Sequence, residues 1–273
     1  MTAAADAGLR RQRILGMPVD GVELDQAVQL IVDRAAARPP RGGFVCAANV
    51  HMVMEAHDSD AFRTVIEGAQ LVLADGAPVA WALRALGVPQ HRRVRVTPDL
   101  LLELFVACES QGLKLGLYGG DPTTLAAFTD LLSEATPDLD VAYAWSPPFR
   151  PLTPAEDTAV REQIAAAGVQ VLLVGIGCPK QERWMADHAD GLTCVMLGVG
   201  AAFDLFGGRT KEAPRWTRNL GLEWTHRLVQ EPRRLWRRHA KHDPRFLVLL
   251  AMQVARRADH ARNGRSDRRA RWS

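Results

Sequence analysis

The sequence predicts an α/β protein: a Rossmann-like, mostly parallel sheet with helices on both faces, followed by a C-terminal helical basic appendage. Three observations predict it. Short aliphatic runs such as Phe44 to Ala48, Leu71 to Ala74 and Val171 to Val174 read as strands buried on both faces, separated by stretches with helical spacing. Most of these runs close on a glycine or a small polar residue where the next helix begins, as βα turns of an open parallel sheet do. From Pro214 onward the texture changes to tryptophan interleaved with arginine.

In chain order, residues 1–13 are expected to be disordered, and Ile14 to Val22 is a strand-like lead-in to a helix over Leu24 to Ala37. Pro39 to Gly43 is a loop, and Phe44 to Ala48 is a buried strand ending in Asn49. One helical stretch from Val50 to Gly68 carries His51, His57, Asp58 and Asp60. The strand Leu71 to Ala74 ends in Asp75-Gly76, ahead of a helix over Val79 to Leu86. Pro98 to Gln111 is amphipathic, with Asp99 early in the helix, where a carboxylate favours the dipole. Lys114 to Tyr118 closes on Gly119-Gly120-Asp121-Pro122, and a proline-initiated helix follows. Val141 to Trp145 is a strand, the segment Ser146-Pro147-Pro148-Phe149 a loop, and Pro154 to Ala167 a helix. Thr193 to Leu197 is a last strand before Gly198-Val199-Gly200.

These elements make residues 14–208 one core. Residues 209–258 form a helical appendage, read as short helices cut by Pro232 and Pro244, and residues 259–273 a basic flexible tail. Trp216, Trp224, Trp236 and Phe246 alternate there with arginines, the composition of a helix lying at a lipid headgroup layer. Glu223 and Trp224 read as packing residues between appendage and core.

Charge divides along the same line. Residues 209–273 hold 18 Lys and Arg against 6 Asp and Glu, a balance of +12; residues 1–208 hold 16 against 25, a balance of −9. An acidic body with a basic end points to an anionic partner at the C-terminus. The cysteines Cys46, Cys108, Cys178 and Cys194 lie far apart with no CxxC pair, so reduced thiols are expected rather than disulfides or zinc. The N-terminal segment lacks an apolar h-region, so no signal peptide is expected, and no apolar run is long enough to span a bilayer.

The most informative stretch is Val171 to Arg183. An aliphatic strand meets Gly177, and Pro179 opens a helix whose free N–H groups and positive dipole end suit a diphosphate. Lys180, Gln181, Glu182 and Arg183 add charge and hydrogen-bonding capacity. Ligands of parallel sheets bind at the carboxyl ends of the strands, so Asn49, Asp75, Gly119, Gly120, Gly177 and Gly198 define one face. The helix starts after Gly119-Gly120 and Gly177, together with the appendage arginines Arg215, Arg227, Arg233 and Arg237, can supply a positive field for an anion such as a diphosphate.

The motifs ADG at 74–76, GLYGG at 116–120, SPPF at 146–149, GCPKQE at 177–182, GVGAAFD at 198–204 and GLEWTHRLVQEPRRLWRR at 221–238 resemble the WecG/TagA/CpsF family of bacterial glycosyltransferases, in order and at similar spacing over about residues 14–248. The resemblance implies inverting, metal-independent transfer of a sugar from a nucleotide donor, typically UDP-N-acetylmannosamine, to a polyprenyl-diphosphate-linked sugar. It implies a peripheral enzyme on the cytoplasmic face of the plasma membrane, serving cell-surface polysaccharide or teichoic-acid-type synthesis, with no cofactor. Glucose, mannose or glucuronate donors are the alternatives within the family. Asp75 matches the family's proposed general base. Gly76, Arg95, Asp99, Gly200 and Asp204 lie in the matched motifs and join Asn49, Gly119, Gly120, Gly177, Lys180, Gln181 and Glu182 as expected substrate-binding residues. Two motifs depart from the family: Arg95 to Leu100 reads RVTPDL where many members have RVxGxDL, and Glu212 stands where many have arginine.

Other chemistries fit less well. Asp58-Ser59-Asp60 has the form of a metal-binding DxD but precedes Ala61-Phe62-Arg63, which makes it a helix N-cap. His239 and His242 lack a third ligand in the sequence, so no metal site is expected. An oxidoreductase would need GxGxxG after the first strand, which is absent. A non-catalytic module binding membrane or nucleic acid through the basic end is the remaining alternative. The expected partners are a UDP-sugar, the lipid-linked acceptor and an anionic membrane, not nucleic acid, with homo-oligomerisation left open.

Overall fold

The computed structural model describes residues 9–37, 42–88, 96–209 and 232–270. The apolar runs form the middle of the sheet: β3 (Gly43–Ala48), β4 (Leu71–Ala74), β5 (Leu115–Gly119), β7 (Val171–Gly175) and β8 (Val195–Gly198) are buried almost throughout. With β1 (Arg10–Ile14), β2 (Met17–Gly21) and β6 (Val141–Trp145) they make an eight-stranded sheet in the order β1-β2-β4-β3-β8-β7-β5-β6. Among the described residues, only the β1–β2 pair is antiparallel.

Alternate strand residues feed two hydrophobic layers. Phe44, Cys46 and Ala48 face one layer, and Val45 and Ala47 the other. The first layer is covered by α2 (Val50–Asp58), α3 (Asp60–Glu67), α4 (Ala77–Ala85), α7 (Pro154–Ala166), α8 (Lys180–His188) and α10 (Pro232–Ala270). The second is covered by α1 (Leu24–Ala36), α5 (Leu101–Gln111), α6 (Pro122–Ala135) and α9 (Ala202–Phe206). Helices on both faces of a mostly parallel sheet are the predicted arrangement.

Several boundaries differ from the sequence expectation, each for a local reason. Residues 10–13 are not disordered but form edge strand β1, held because Arg11 grips the fully buried Asp20 in a bidentate pair through Nε and Nη2, at 2.7 and 2.8 Å. Asp20 also accepts from the Val72 N–H at 2.8 Å, which ties the hairpin to β4. The stretch 50–68 is two helices, because Ser59 turns extended and its hydroxyl caps the Phe62 N–H. Residues Val96–Leu100 form a π-helical turn before α5.

The largest difference lies in the appendage. Pro244 does not end a helix: α10 runs through it and continues to Ala270, into the stretch 259–273 expected to be a flexible tail. An interior proline costs about 3 kcal/mol, and docking offsets it. Phe246 is buried in the first layer, Arg245 pairs with Asp58 at 2.6 Å, and Gln253 bonds the Leu15 N–H and the Arg13 carbonyl of the β1–β2 hairpin. The part of the expected helical appendage over residues 210–231 lies outside the described residues. Among the described residues, no helix is long and apolar enough to cross a membrane.

Candidate active site

Five adjacent strands, β4, β3, β8, β7 and β5, present their carboxyl ends along one edge. Hydrogen bonds between neighbouring tips lock them in step. The Asp75 N–H donates to the Ala48 carbonyl at 2.9 Å, the Val199 N–H to Val174 at 2.9 Å, and the Gly120 N–H to Gly175 at 3.4 Å. Asn49, Asp75, Gly177 and the Gly119-Gly120 and Gly198-to-Gly200 turns therefore form one row, as the strand pattern predicts.

Asp75 closes β4 and is half-buried. Gly76 follows with φ +90°, a conformation that suits glycine, and Pro78 lies in the first turn of α4. Asn49 closes β3, and its Oδ1 accepts from the Met52 N–H at 3.1 Å, capping α2.

The glycine turns have different tasks. A Cβ on Gly119 would lie 2.5 Å from the Gly175 carbonyl oxygen, so the two strands need glycine to stay together there. A Cβ on Gly175 would fall 2.2 Å from the Phe203 ring, which roofs this turn. Phe203 is a residue that sequence reasoning passed over, although it lies inside the GVGAAFD motif. Asp204 follows it on α9, half-buried, and its carbonyl accepts from the Arg209 N–H at 2.9 Å. Gly200 has φ +56° and no atom within 4 Å of an added Cβ.

The two helix starts proposed as anion sites are not equivalent. The first N–H groups of α6 are already used: Asp121 Oδ1 accepts from Thr123 and Thr124 at 3.1 and 3.0 Å. These bonds, those from Thr124 first, hold the Asp121 carboxyl below its ordinary pKa, and Arg209 pairs with it at 2.6 Å. A diphosphate at α6 would meet a carboxylate. The start of α8 has no capping carboxylate: its N-cap residue Pro179 makes no side-chain bond, the Gly177 N–H is held by the neutral Gln181 amide, Gly177 adopts φ +87°, and Lys180 is exposed beside it. Within this row, the α8 turn is the better anion cradle.

Gln181 and Glu182, expected to contact substrate, turn inward. Gln181 is 3% exposed; its Oε1 accepts from the Gly177 N–H at 3.2 Å and its Nε2 donates to Glu182 Oε1 at 2.8 Å. Glu182 is fully buried, and that burial raises its pKa against the lowering effect of the Gln181 bond. Burial, with the Glu182 carboxylate beside it, also pushes the Cys178 thiol up. Helical spacing alone puts residues 181 and 182 on successive positions without saying which side faces the sheet; the close approach of α8 to Gly198, where a Cβ would lie 2.9 Å from Gln181 Nε2, decides it.

Other expected residues fall elsewhere. Asp99 sits in the π-helical turn, where it and Asp25 join burial in raising the Glu103 pKa. Arg95, Arg215 and Arg227 lie outside the described residues, and Arg233 and Arg237 belong to α10. The DxD-like carboxylates are engaged in ion pairs, Asp58 with Arg245 and Asp60 with Arg63 at 2.7 Å. The Ser146 hydroxyl donates to the Gly120 carbonyl at 2.7 Å, fastening the SPPF loop to the site while Phe149 stands almost fully exposed.

A row of glycine turns beside a strand-tip carboxylate can hold an anion next to a base. Compared with known protein families, residues 12–260 match the model described as "Glycosyl transferase WecG/TagA/CpsF family".

Proposed function

The chain belongs to the WecG/TagA/CpsF family and is a glycosyltransferase, and from that premise we propose that it carries out an inverting transfer of N-acetylmannosamine from UDP-N-acetylmannosamine to a polyprenyl-diphosphate-linked sugar. Family membership displaces the oxidoreductase and the non-catalytic binding module. The observation that carries the reading is Asp75, a half-buried carboxylate at a strand tip in the same row as the Gly177 turn, which no carboxylate caps.

In this mechanism Asp75 takes the proton of the acceptor hydroxyl as its oxygen attacks the anomeric carbon. The bond to the UDP diphosphate breaks on the opposite face, and the configuration inverts. The α8 turn and Lys180 face the departing charge, with appendage arginines as further cations. Gly76, Gly119, Gly120 and Gly200 let the ligand approach the backbone, and no divalent cation takes part in the transfer. Asn49, Arg95, Asp99 and Asp204 complete the proposed contacts, whereas Gln181 and Glu182 act from beneath.

The acceptor remains in a bilayer, so the enzyme works at the inner face of the plasma membrane. Support comes from α10, which exposes Trp236, Leu247, Val248 and Met252 on a helix rich in arginine. The test is nucleotide release from a panel of UDP-N-acetylmannosamine, UDP-glucose, UDP-glucuronate and GDP-mannose, each with a lipid-linked acceptor and with magnesium and manganese omitted or supplied. Acceptor-dependent release from the first donor alone, indifferent to either cation, is expected. Release from another donor would replace the sugar, and dependence on manganese or magnesium would overturn the metal-free mechanism.

A further inference from the structure

Helices α2 and α10 meet along one stripe. His51, Glu55 and Asp58 lie on α2 at helical spacing, and His242 and Arg245 answer them from α10. The Asp58–Arg245 pair is a close ion pair at 2.6 Å. One turn away the contacts are different in kind. His51 Nδ1 and His242 Nε2 both point at Glu55 Oε1, from 3.8 and 3.7 Å, and the ligand atoms of all three residues lie within 4.8 Å of one another. These separations are too long for hydrogen bonds. The imidazole rings are tilted at 59° with centroids 5.2 Å apart, so they do not stack.

Three donors around a common centre, too far apart to bond one another, are what a small cation between them would produce. Zinc–nitrogen and zinc–oxygen bonds of about 2.0–2.1 Å put tetrahedral ligand atoms about 3.3 Å apart, so the two imidazole–carboxylate separations need to close by about half an ångström and the imidazole pair by up to about 1.5 Å, within reach of side-chain rotation. His242 is 3% exposed, and its Nδ1 is buried with no hydrogen-bond partner among the described residues. Two imidazoles and one carboxylate favour a transition metal over magnesium or calcium, whose ligands are oxygens.

We propose that His51, Glu55 and His242 form a zinc-type metal site that clamps the appendage helix α10 onto α2 of the core. Two ligands come from one helix at i and i+4, and the third arrives from the far end of the chain, so the site exists only when α10 is docked. Its two α2 ligands lie in the first two turns after Asn49, whose side chain caps that helix.

The test uses the full chain purified without a histidine tag, stripped with chelator, and titrated with Zn²⁺ in competition with a chromophoric chelator. One equivalent should bind. Altering an outer-shell partner already costs roughly 10–100-fold in metal affinity, so His242→Ala and Glu55→Gln should each lose at least that much, while His57→Ala on the same helix should bind as the unaltered chain does. Circular dichroism of the stripped variants checks the fold. Co²⁺ added to the unaltered chain should give visible ligand-field bands, a readout that depends on no substitution, and Zn²⁺ should raise the Tm of the unaltered chain but not of the variants. Absence of stoichiometric binding, undiminished binding in folded His242→Ala, or an intense thiolate-to-cobalt band that moves the metal to Cys178 would overturn the assignment.

Discussion

Gln181 Oε1 accepts a hydrogen bond from the Gly177 N–H at 3.2 Å, so the first turn of α8 is tied back onto the glycine turn that precedes it. The same side chain holds Glu182 through its other amide atom. Gln181 is thus a positioning residue that sets the shape of the proposed anion cradle. Gln181→Ala should lower kcat/KM by ~10-fold and stability by about 1–3 kcal/mol, since it leaves buried polar groups unmade. Both are read together, kinetics beside urea unfolding. Lost activity at unchanged stability would instead make Gln181 a direct ligand contact.

Glu182 should give the fold a specific pH dependence. Its folded-state pKa is raised by burial, so the folded chain holds a proton that the unfolded chain has released. Its stabilising contribution is fully present below the unfolded pKa of about 4.3 and is lost as pH rises through the folded value. Glu182→Gln removes the titration. Unfolding free energies across a pH series should then fall less steeply with rising pH in the variant. Parallel profiles for the two proteins would refute this.

Membrane attachment is best tested on the exposed side of α10 rather than by truncation, because Phe246 and His242 are buried against the core and their removal would open it. Leu247→Ser with Val248→Ser alters side chains that are about 60% exposed. The full chain should pellet with anionic liposomes at low salt and be released as salt rises, surface charges being screened over about 8–10 Å. The double variant should bind more weakly at every salt concentration with an unchanged Tm. Equal binding by both chains would remove α10 from the proposed contact.

How much of this was legible in the sequence depends on whether neighbours in space were neighbours in the chain. The strand tips were: Asn49, Asp75 and Gly177 each end an apolar run, and parallel topology brings such ends to one edge. The β1–β2 hairpin was hidden because its edge strand is arginine-rich and its turn uses Leu15 in a left-handed conformation beside Gly16. The inward turn of Gln181 and Glu182 was hidden because polar residues at a helix start read as exposed until the sheet beneath them is known. Helix α10 passes through Pro244 because of contacts with α2 and the hairpin, residues from the other end of the chain. For the same reason His242 showed no third ligand in sequence, whereas Asp121, an N-cap residue type directly before Pro122, did carry a sign that it occupies the start of α6.

The central claim is that Asp75 is the base of the transfer, and the most direct test is turnover of Asp75→Asn, measured as UDP release with donor and lipid-linked acceptor both saturating. Asparagine keeps the shape and cannot take the proton. The account predicts a kcat lower by roughly 10² to 10⁴, with donor binding and thermal unfolding unchanged. Near-normal turnover by the folded variant would contradict it.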